Sequence, residues 1–386
     1  MRVLFVNPGR DLGGAEQSLL LLLRELLRND VEATVALFGD GPFAARLAQM
    51  GLRTAYLLLT DAVRRSTRYS PGMRLSELAR LGAQAVPGTA QLVALAVRTH
   101  ADVVHTNGLK AHVLGGLAGR IALRPVVWHV RDFPPEGAQG RVLRVASKTL
   151  PRIMLTNSAA VAAAWRPDGN PKRVRPIGNP VDLARFHPDL GGGPVRAELG
   201  IAPGVPVVGM VAHLTPWKGH EEFLSVAAKV PGARFLVAGG SIYETEGHGG
   251  YAERLQRRAV DLGLGGRVHF LGNRDDIPEI LAALDVLVHC PTAPEPFGRA
   301  VAEAMAVGKP VVAARAGGLP EIVEHEVTGL LVPPSDVTAC AAAVTRLLSD
   351  PALRARLGAA GREAAERMFD PGRHAEKVLQ VYREVL

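Results

Sequence analysis

Twice along its length this chain alternates short runs of β-forming residues with amphipathic helical stretches. That alternation restricts it to parallel sheets covered by helices on both faces. In the first half, residues 3–7, 31–38, 103–105, 126–130 and 153–157 read as strands. Residues 15–28 read as a helix with a wide apolar face of Leu19, Leu22, Leu23, Leu26 and Leu27. In the second half, strands are expected at 207–211, 234–238, 268–271, 286–289, 310–313 and 329–332. Helices are expected between them at 221–229, 251–262, 277–283 and 300–306, with another starting at 319–323. A stretch dense in glycine and proline, from Pro176 through Pro180 and on to Pro194, reads as the linker and its first part as a hinge. A chain of 386 residues is also too long for one ordinary core. The fold class expected is therefore α/β, with two Rossmann-like, doubly wound domains at 1–180 and 190–370. Open parallel sheets bind ligands outside the carboxyl ends of their strands, so two such ends facing each other would share one cleft.

Charge is divided unevenly between the halves. The net charge is +8, yet residues 1–190 carry 25 Lys and Arg against 14 Asp and Glu, and the remainder is slightly acidic. The first half is therefore expected to meet something anionic. Arg64, Arg65, Arg68 and Arg74 form one cationic region, and Arg141, Arg144 and Lys148 recur at helical spacing with Val142, Leu143 and Val145 between them. This pattern suits peripheral docking on an anionic bilayer. No aromatic-interleaved pattern accompanies the charge, so nucleic acid is not an expected partner. No apolar run approaches the roughly 20 residues that span a bilayer, and the start is too short for a signal-peptide core. A cytoplasmic protein, peripheral on the inner face of the membrane, is expected. Cys290 and Cys340 offer neither a metal-ligand spacing nor a disulfide framework and read as reduced, buried thiols.

The chemistry-bearing residues fall at strand ends of the second half. Glu295 sits in a Pro/Gly turn after the strand at 286–289, and Glu303 lies eight positions on, inside the following helix. The Phe297 and Gly298 amides open that helix, where free N–H groups and the helix dipole favour an anion. A carboxylate there would repel a phosphate but accepts strongly from neutral hydroxyls. After the strand at 207–211, the loop His213-Leu-Thr-Pro-Trp-Lys218-Gly presents a lysine, a compact charge suited to a diphosphate. Gly317-Gly318 opens another helix. No Asp-x-Asp stands at a strand end, Asp275-Asp276 reads as a helix cap, and no nucleoside-triphosphate loop is present. No metal and no cofactor are expected.

Together these strings resemble glycosyltransferase family 4, of the GT-B architecture. The matching runs are His213 to Gly219, Phe270-Leu-Gly-Asn273-Arg274, Glu295-Pro-Phe-Gly to Glu303-Ala-Met-Ala, and Gly317-Gly-Leu-Pro-Glu to Val332-Pro. The first half matches more loosely, through Gly13-Gly14-Ala15-Glu16 and Val127-Trp-His129-Val-Arg-Asp132. The resemblance implies a retaining, metal-independent transferase moving a hexose-type sugar from a UDP- or GDP-linked donor. The acceptor would be a glycan, a lipid-linked or a small molecule, in cell-surface polysaccharide or glycoconjugate synthesis. It implies that Lys218 neutralises the diphosphate, Glu295 binds sugar hydroxyls, and the Phe297 and Gly298 amides lie against sugar and phosphate. Glu303 would hold the ribose, and the chain around Asn273 and Arg274 would flank the base. Gly13 and Gly14 would let a loop approach the diphosphate, and His129 would line the reaction centre. In this architecture the last helix, 371–386, crosses back to the first domain. Asn107, at the end of the strand at 103–105, is a candidate acceptor contact.

One residue departs from the family pattern. The family usually has arginine where this chain has His213. If its imidazole still bonds the diphosphate, activity is expected to fall at alkaline pH. A nucleotide-sugar epimerase or a phosphorylase of the same fold, and a non-catalytic nucleotide-sugar-binding module, are the competing readings.

Overall fold

The computed structural model describes residues 1–65, 74–166, 173–240 and 250–386. The chain forms two compact units, Met1–Pro180 with Pro371–Leu386, and Val181–Asp370. Among the described residues the first contains seven strands: β1 (Arg2–Asn7), β2 (Glu32–Leu37), β3 (Arg53–Tyr56), β4 (Val103–Asn107), β5 (Val126–Val130), β6 (Ile153–Thr156) and β7 (Val174–Pro176). They pair in parallel in the order β3-β2-β1-β4-β5-β6-β7. The second contains β8 (Val207–Val211), β9 (Arg234–Ala238), β10 (Val268–Gly272), β11 (Val286–His289), β12 (Val311–Ala314) and β13 (Leu330–Val332). Their order is β10-β9-β8-β11-β12-β13, again all parallel. This is the order 3-2-1-4-5-6 of a doubly wound sheet, which reverses direction between β8 and β11. In the first unit the reversal falls between β1 and β4.

The central strands are buried on both faces, as continuous apolar runs such as Val-Val-Gly-Met in β8 and Val-Leu-Val in β11 require. Helices supply the covering layers. In the helix Gly14–Arg28, Leu19, Leu22, Leu23 and Leu26 are fully buried, whereas Leu27 ends the stripe at 37% exposure. That face packs with Ala375, Val378, Leu379 and Tyr382 of the helix Pro371–Val385, so the end of the chain completes the core of the first unit. Two strands escape the sequence reading. Arg53–Tyr56 carries only four residues, mostly exposed, and has no apolar run to announce it. Val174–Pro176 begins the segment read as a linker but is an edge strand, pairing with Met154–Thr156. An edge tolerates Pro176, whose missing N–H would cost a ladder bond in mid-sheet.

Asp276 stands at the N-cap of the helix Ile277–Ala283, yet its side chain makes no cap bond. Its carboxylate accepts from Arg274 instead, at 2.7 and 2.6 Å. Asp336 and Asp350 do cap helices, accepting from the Ala339 and Leu353 amides. Cys290 and Cys340 are both buried free thiols, and burial pushes Cys340 up to about 12. Among the described residues no helix is long and apolar enough to cross a membrane. Of the cationic run at 64–68, Ser66, Thr67 and Arg68 lie outside the described residues.

Candidate functional site

The loops leaving β8 and β11 are stitched together where the second sheet reverses. Trp217 accepts from the Thr292 amide at 2.9 Å, and the Gly219 carbonyl accepts from Cys290 Sγ. Gly219 has φ +83°, and a Cβ there would lie 1.9 Å from the Cys290 oxygen. Only glycine allows so close an approach in the left-handed region. The chain Pro216–Lys218 forms one short 3-10 turn above this contact, with the Lys218 ammonium 4.1 Å from the Trp217 ring centre.

A second close packing holds Glu295. A Cβ on Gly317, at φ +62°, would fall 2.1 Å from the Glu295 oxygen, and the Gly318 amide donates to that oxygen at 2.8 Å. Two residues on, Phe297 is buried against the ring of Phe369, edge to face at 5.7 Å. The apolar ring thus anchors the turn in the core while the neighbouring carboxylate stays at the strand ends. Gly298, at φ +95°, then opens the helix Arg299–Ala306 with no side-chain cap. Its amide end remains a place for a negative group.

These constraints bring Lys218 and Glu295 together, with Nζ 2.7 Å from Oε2. His289, the last residue of β11, places Nε2 2.9 Å from the same oxygen. A carboxylate only accepts, so that ring nitrogen carries the proton. Burial alone would raise the Glu295 carboxyl, but Lys218 and His289 outweigh it and hold it well below the ordinary carboxylate range. Glu295 is therefore an anion at neutral pH. His289 was not singled out from the sequence; the available signal was a polar residue closing an otherwise apolar strand.

The other donor-side candidates take distinct places. Glu303 lies in the second turn of the same helix, buried, with Oε1 2.7 Å from Arg299 Nε. Burial raises its carboxyl despite Arg299 and Arg185. His213 is largely enclosed, and burial followed by the Lys218 charge lowers its imidazole below 6.5. It is neutral at and above neutral pH in the ligand-free protein, so the alkaline loss expected of His213 depends on an arriving anion raising its pKa. Asn273 is exposed, with its amide packed over Gly240. Arg274 forks onto Glu198 at 2.6 and 2.9 Å as well as onto Asp276, which leaves its backbone rather than its side chain for any base.

In the first unit, Gly13 is the extended residue before the helix Gly14–Arg28, at the reversal between β1 and β4. Glu16 folds back beneath that loop, 3.5 Å from Asn7 Nδ2, and a Cβ on Gly13 would come within 2.9 Å of its Oε2. Asn107 is buried and committed: it donates to Asn7 Oδ1 and accepts from Arg131 Nε, both at 2.7 Å. Arg131 also donates to Asn179 and lies 3.5 Å from His129 Nδ1. His129 is fully enclosed, its ring 5.3 Å from His105 and 5.9 Å from His374. Burial, then Arg131, keeps its imidazole neutral. Neither Asn107 nor His129 presents an open side chain at its strand end; both are buried and in contact with Arg131. Arg131, two positions past His129, organises this network and was not singled out from the sequence.

Two doubly wound α/β domains, one with an anion-compatible helix end, a lysine and a buried carboxylate at its switch point, define a nucleotide-ligand-binding class. Comparison with known proteins narrows it. Residues 194–364 match the family model of glycosyl transferases group 1, and residues 12–185 match glycosyltransferase family 4. Anabaena Alr3699/HepE, solved in complex with UDP-glucose, is 31% identical over 100% of both chains, with a TM-score of 0.85. The chain belongs to glycosyltransferase family 4. The D-inositol 3-phosphate glycosyltransferase of Saccharomonospora viridis is 37% identical over 57% of this chain. The present chain spans 52% of that relative's length, about half. Sucrose-phosphate synthase from Thermosynechococcus elongatus shares the fold at a TM-score of 0.80 and 23% identity, over 100% of this chain and 99% of that one.

Proposed function

We propose that this protein is a retaining glycosyltransferase that takes a hexose-type sugar from a UDP- or GDP-linked donor. The observation that carries the reading is the meeting of Lys218 and Glu295 at the switch point of the second sheet. HepE, similar over its whole length, was solved with UDP-glucose, which favours a uridine donor.

In this reading Lys218 turns from Glu295 to the diphosphate, and the amide end of the helix Arg299–Ala306 takes the phosphate charge. Glu295 then accepts from sugar hydroxyls, Glu303 from the ribose, and the backbone at Asn273 flanks the base. The acceptor hydroxyl attacks the anomeric carbon on the face the diphosphate is leaving. The carbon–phosphate-oxygen bond breaks as the new carbon–oxygen bond forms, and the departing phosphate oxygen takes the acceptor proton. The protein supplies positioning and charge, with no divalent ion and no dedicated base.

The acceptor is a glycan, a lipid-linked or a small molecule, and we place the reaction in cell-surface polysaccharide or glycoconjugate synthesis. The surface of the first domain supports a membrane-borne acceptor. The helices Leu109–Ile121 and Gly137–Thr149 contain no Asp or Glu, and they expose Leu117, Ile121, Val142 and Val145 among Arg120, Arg141, Arg144 and Lys148. Apolar and cationic side chains on one surface suit an anionic bilayer.

A panel of UDP-, GDP- and ADP-sugars, tested by thermal shift with EDTA present and then by transfer to extracted acceptors, tests the reading. Stabilisation by one UDP- or GDP-sugar and EDTA-insensitive transfer with the α or β configuration kept is the expected result. No shift with any donor, or transfer only with added metal, overturns it.

A further inference from the structure

The carboxylate that would meet the donor sugar is held by two donors on one oxygen. Lys218 Nζ and His289 Nε2 both reach Glu295 Oε2, at 2.7 and 2.9 Å, and neither reaches Oε1. The two donors differ in how they are held. Lys218 sits in a one-turn loop at the end of a flexible stem. His289 is the last residue of β11, paired with Ala313 of β12, and its side chain is only 3% exposed. Among the described residues its Nδ1 has no hydrogen-bond partner, so Glu295 is its polar contact.

We propose that His289 is a positioning residue for the donor sugar: it pins Glu295 Oε2 from within the sheet so that Oε1 alone is presented to the sugar hydroxyls. The inference rests on the donor reading above, and deepens it. When Lys218 leaves for the diphosphate, Glu295 loses its mobile partner. The strand-borne imidazole keeps the carboxylate in one rotamer, so its rotational freedom is already removed before the sugar arrives. His289 touches neither sugar nor phosphate in this scheme; it acts through Glu295. Its loss should therefore weaken recognition of the sugar and spare recognition of the nucleotide.

Calorimetric titration of the full chain with UDP and with UDP-glucose reads this directly. His289→Leu is expected to leave UDP affinity within twofold. The gain in affinity that glucose adds is expected to fall by about tenfold, the scale of a charge-assisted hydrogen bond. His289→Gln, whose amide N–H reaches about as far as Nε2, is expected to restore most of that gain. Equal weakening of UDP and UDP-glucose, or an unchanged sugar increment, overturns the proposal. Wild-type protein that binds neither probe overturns the uridine-donor reading itself, and this inference with it. An independent measurement avoids any folding defect of the variants. In the ligand-free wild type, ring 15N shifts are expected to show a proton on His289 Nε2, and an unprotonated Nε2 overturns the proposal.

Discussion

Lys218 and Glu295 lie 77 positions apart and meet at 2.7 Å, both side chains largely removed from water. Removing one partner of such a pair leaves the other charge stranded, whereas removing both does not. Lys218→Met is therefore expected to destabilise the second domain by about 2 kcal/mol. The double variant Lys218→Met/Glu295→Gln is expected to regain most of that loss. Urea unfolding followed within the second domain checks this, and a double variant less stable than Lys218→Met would contradict it. Both variants are expected to lose donor binding.

The Glu295 carboxyl is depressed in the folded protein, so its stabilising share is complete above the ordinary value of 4.5. That share is lost as pH falls below 4.5 toward the folded value. Glu295→Gln is expected to flatten the acid limb of second-domain stability below about pH 4.5 and to leave pH 6–8 unchanged. An unaltered acid limb would show that the carboxylate is not held as described.

The first domain has the opposite kind of buried group. His105, His112, His129 and His374 are all enclosed, and burial, then Arg131, lowers each of them; His112 and His374 reach about 3. The unfolded chain takes protons near 6.5 and the folded chain does not, so stability is greatest above pH 6.5 and declines as pH falls toward about 3. His374→Asn keeps a donor near the Gly178 carbonyl and removes one such proton. Between pH 4 and 6 its stability is expected to change less steeply, by about 1.4 kcal/mol per pH unit. Denaturation of the first domain across that range measures the slope.

His213 is neutral in the free protein, and an arriving anion would raise its pKa. Affinity for UDP is therefore expected to strengthen as pH falls from 7.5 to 5.5. His213→Arg, always charged, is expected to bind more tightly at pH 7.5 and to lose that slope. A slope that persists in His213→Arg assigns the titration elsewhere.

Gly317→Ala is expected to be costly at two levels. The residue would face a strained φ, and its methyl would collide with the Glu295 backbone. A stability loss of about 2 kcal/mol is expected, together with weaker binding of UDP-glucose. Native stability in Gly317→Ala would mean that the loop gives way.

Much of this architecture is legible in the residues. Strands such as Val126–Val130 and Val286–His289 declare themselves because each opens with three consecutive apolar residues buried in the sheet, with histidine only near its end. Arg53–Tyr56 does not, because an exposed edge strand asks little of its side chains. The Glu295 and Lys218 loops were readable from glycines that admit close backbone contact. Their mutual ion pair was not, since residues 77 apart reveal no distance until β8 and β11 lie side by side. The burial of Asn107 and His129 was likewise hidden, because their contacts with Arg131 form only once β4 and β5 lie side by side.

The helix Pro371–Val385 supplies the last layer over Leu19, Leu22, Leu23 and Leu26, with Tyr382 bonded to His105 at 2.7 Å. On a ribosome, the opening 180 residues would emerge with that leucine face uncovered. They would wait while nearly 200 more residues are made and the second domain folds on its own. The half of the molecule born first is thus the half finished last, and the exposed interval is where a chaperone would be needed.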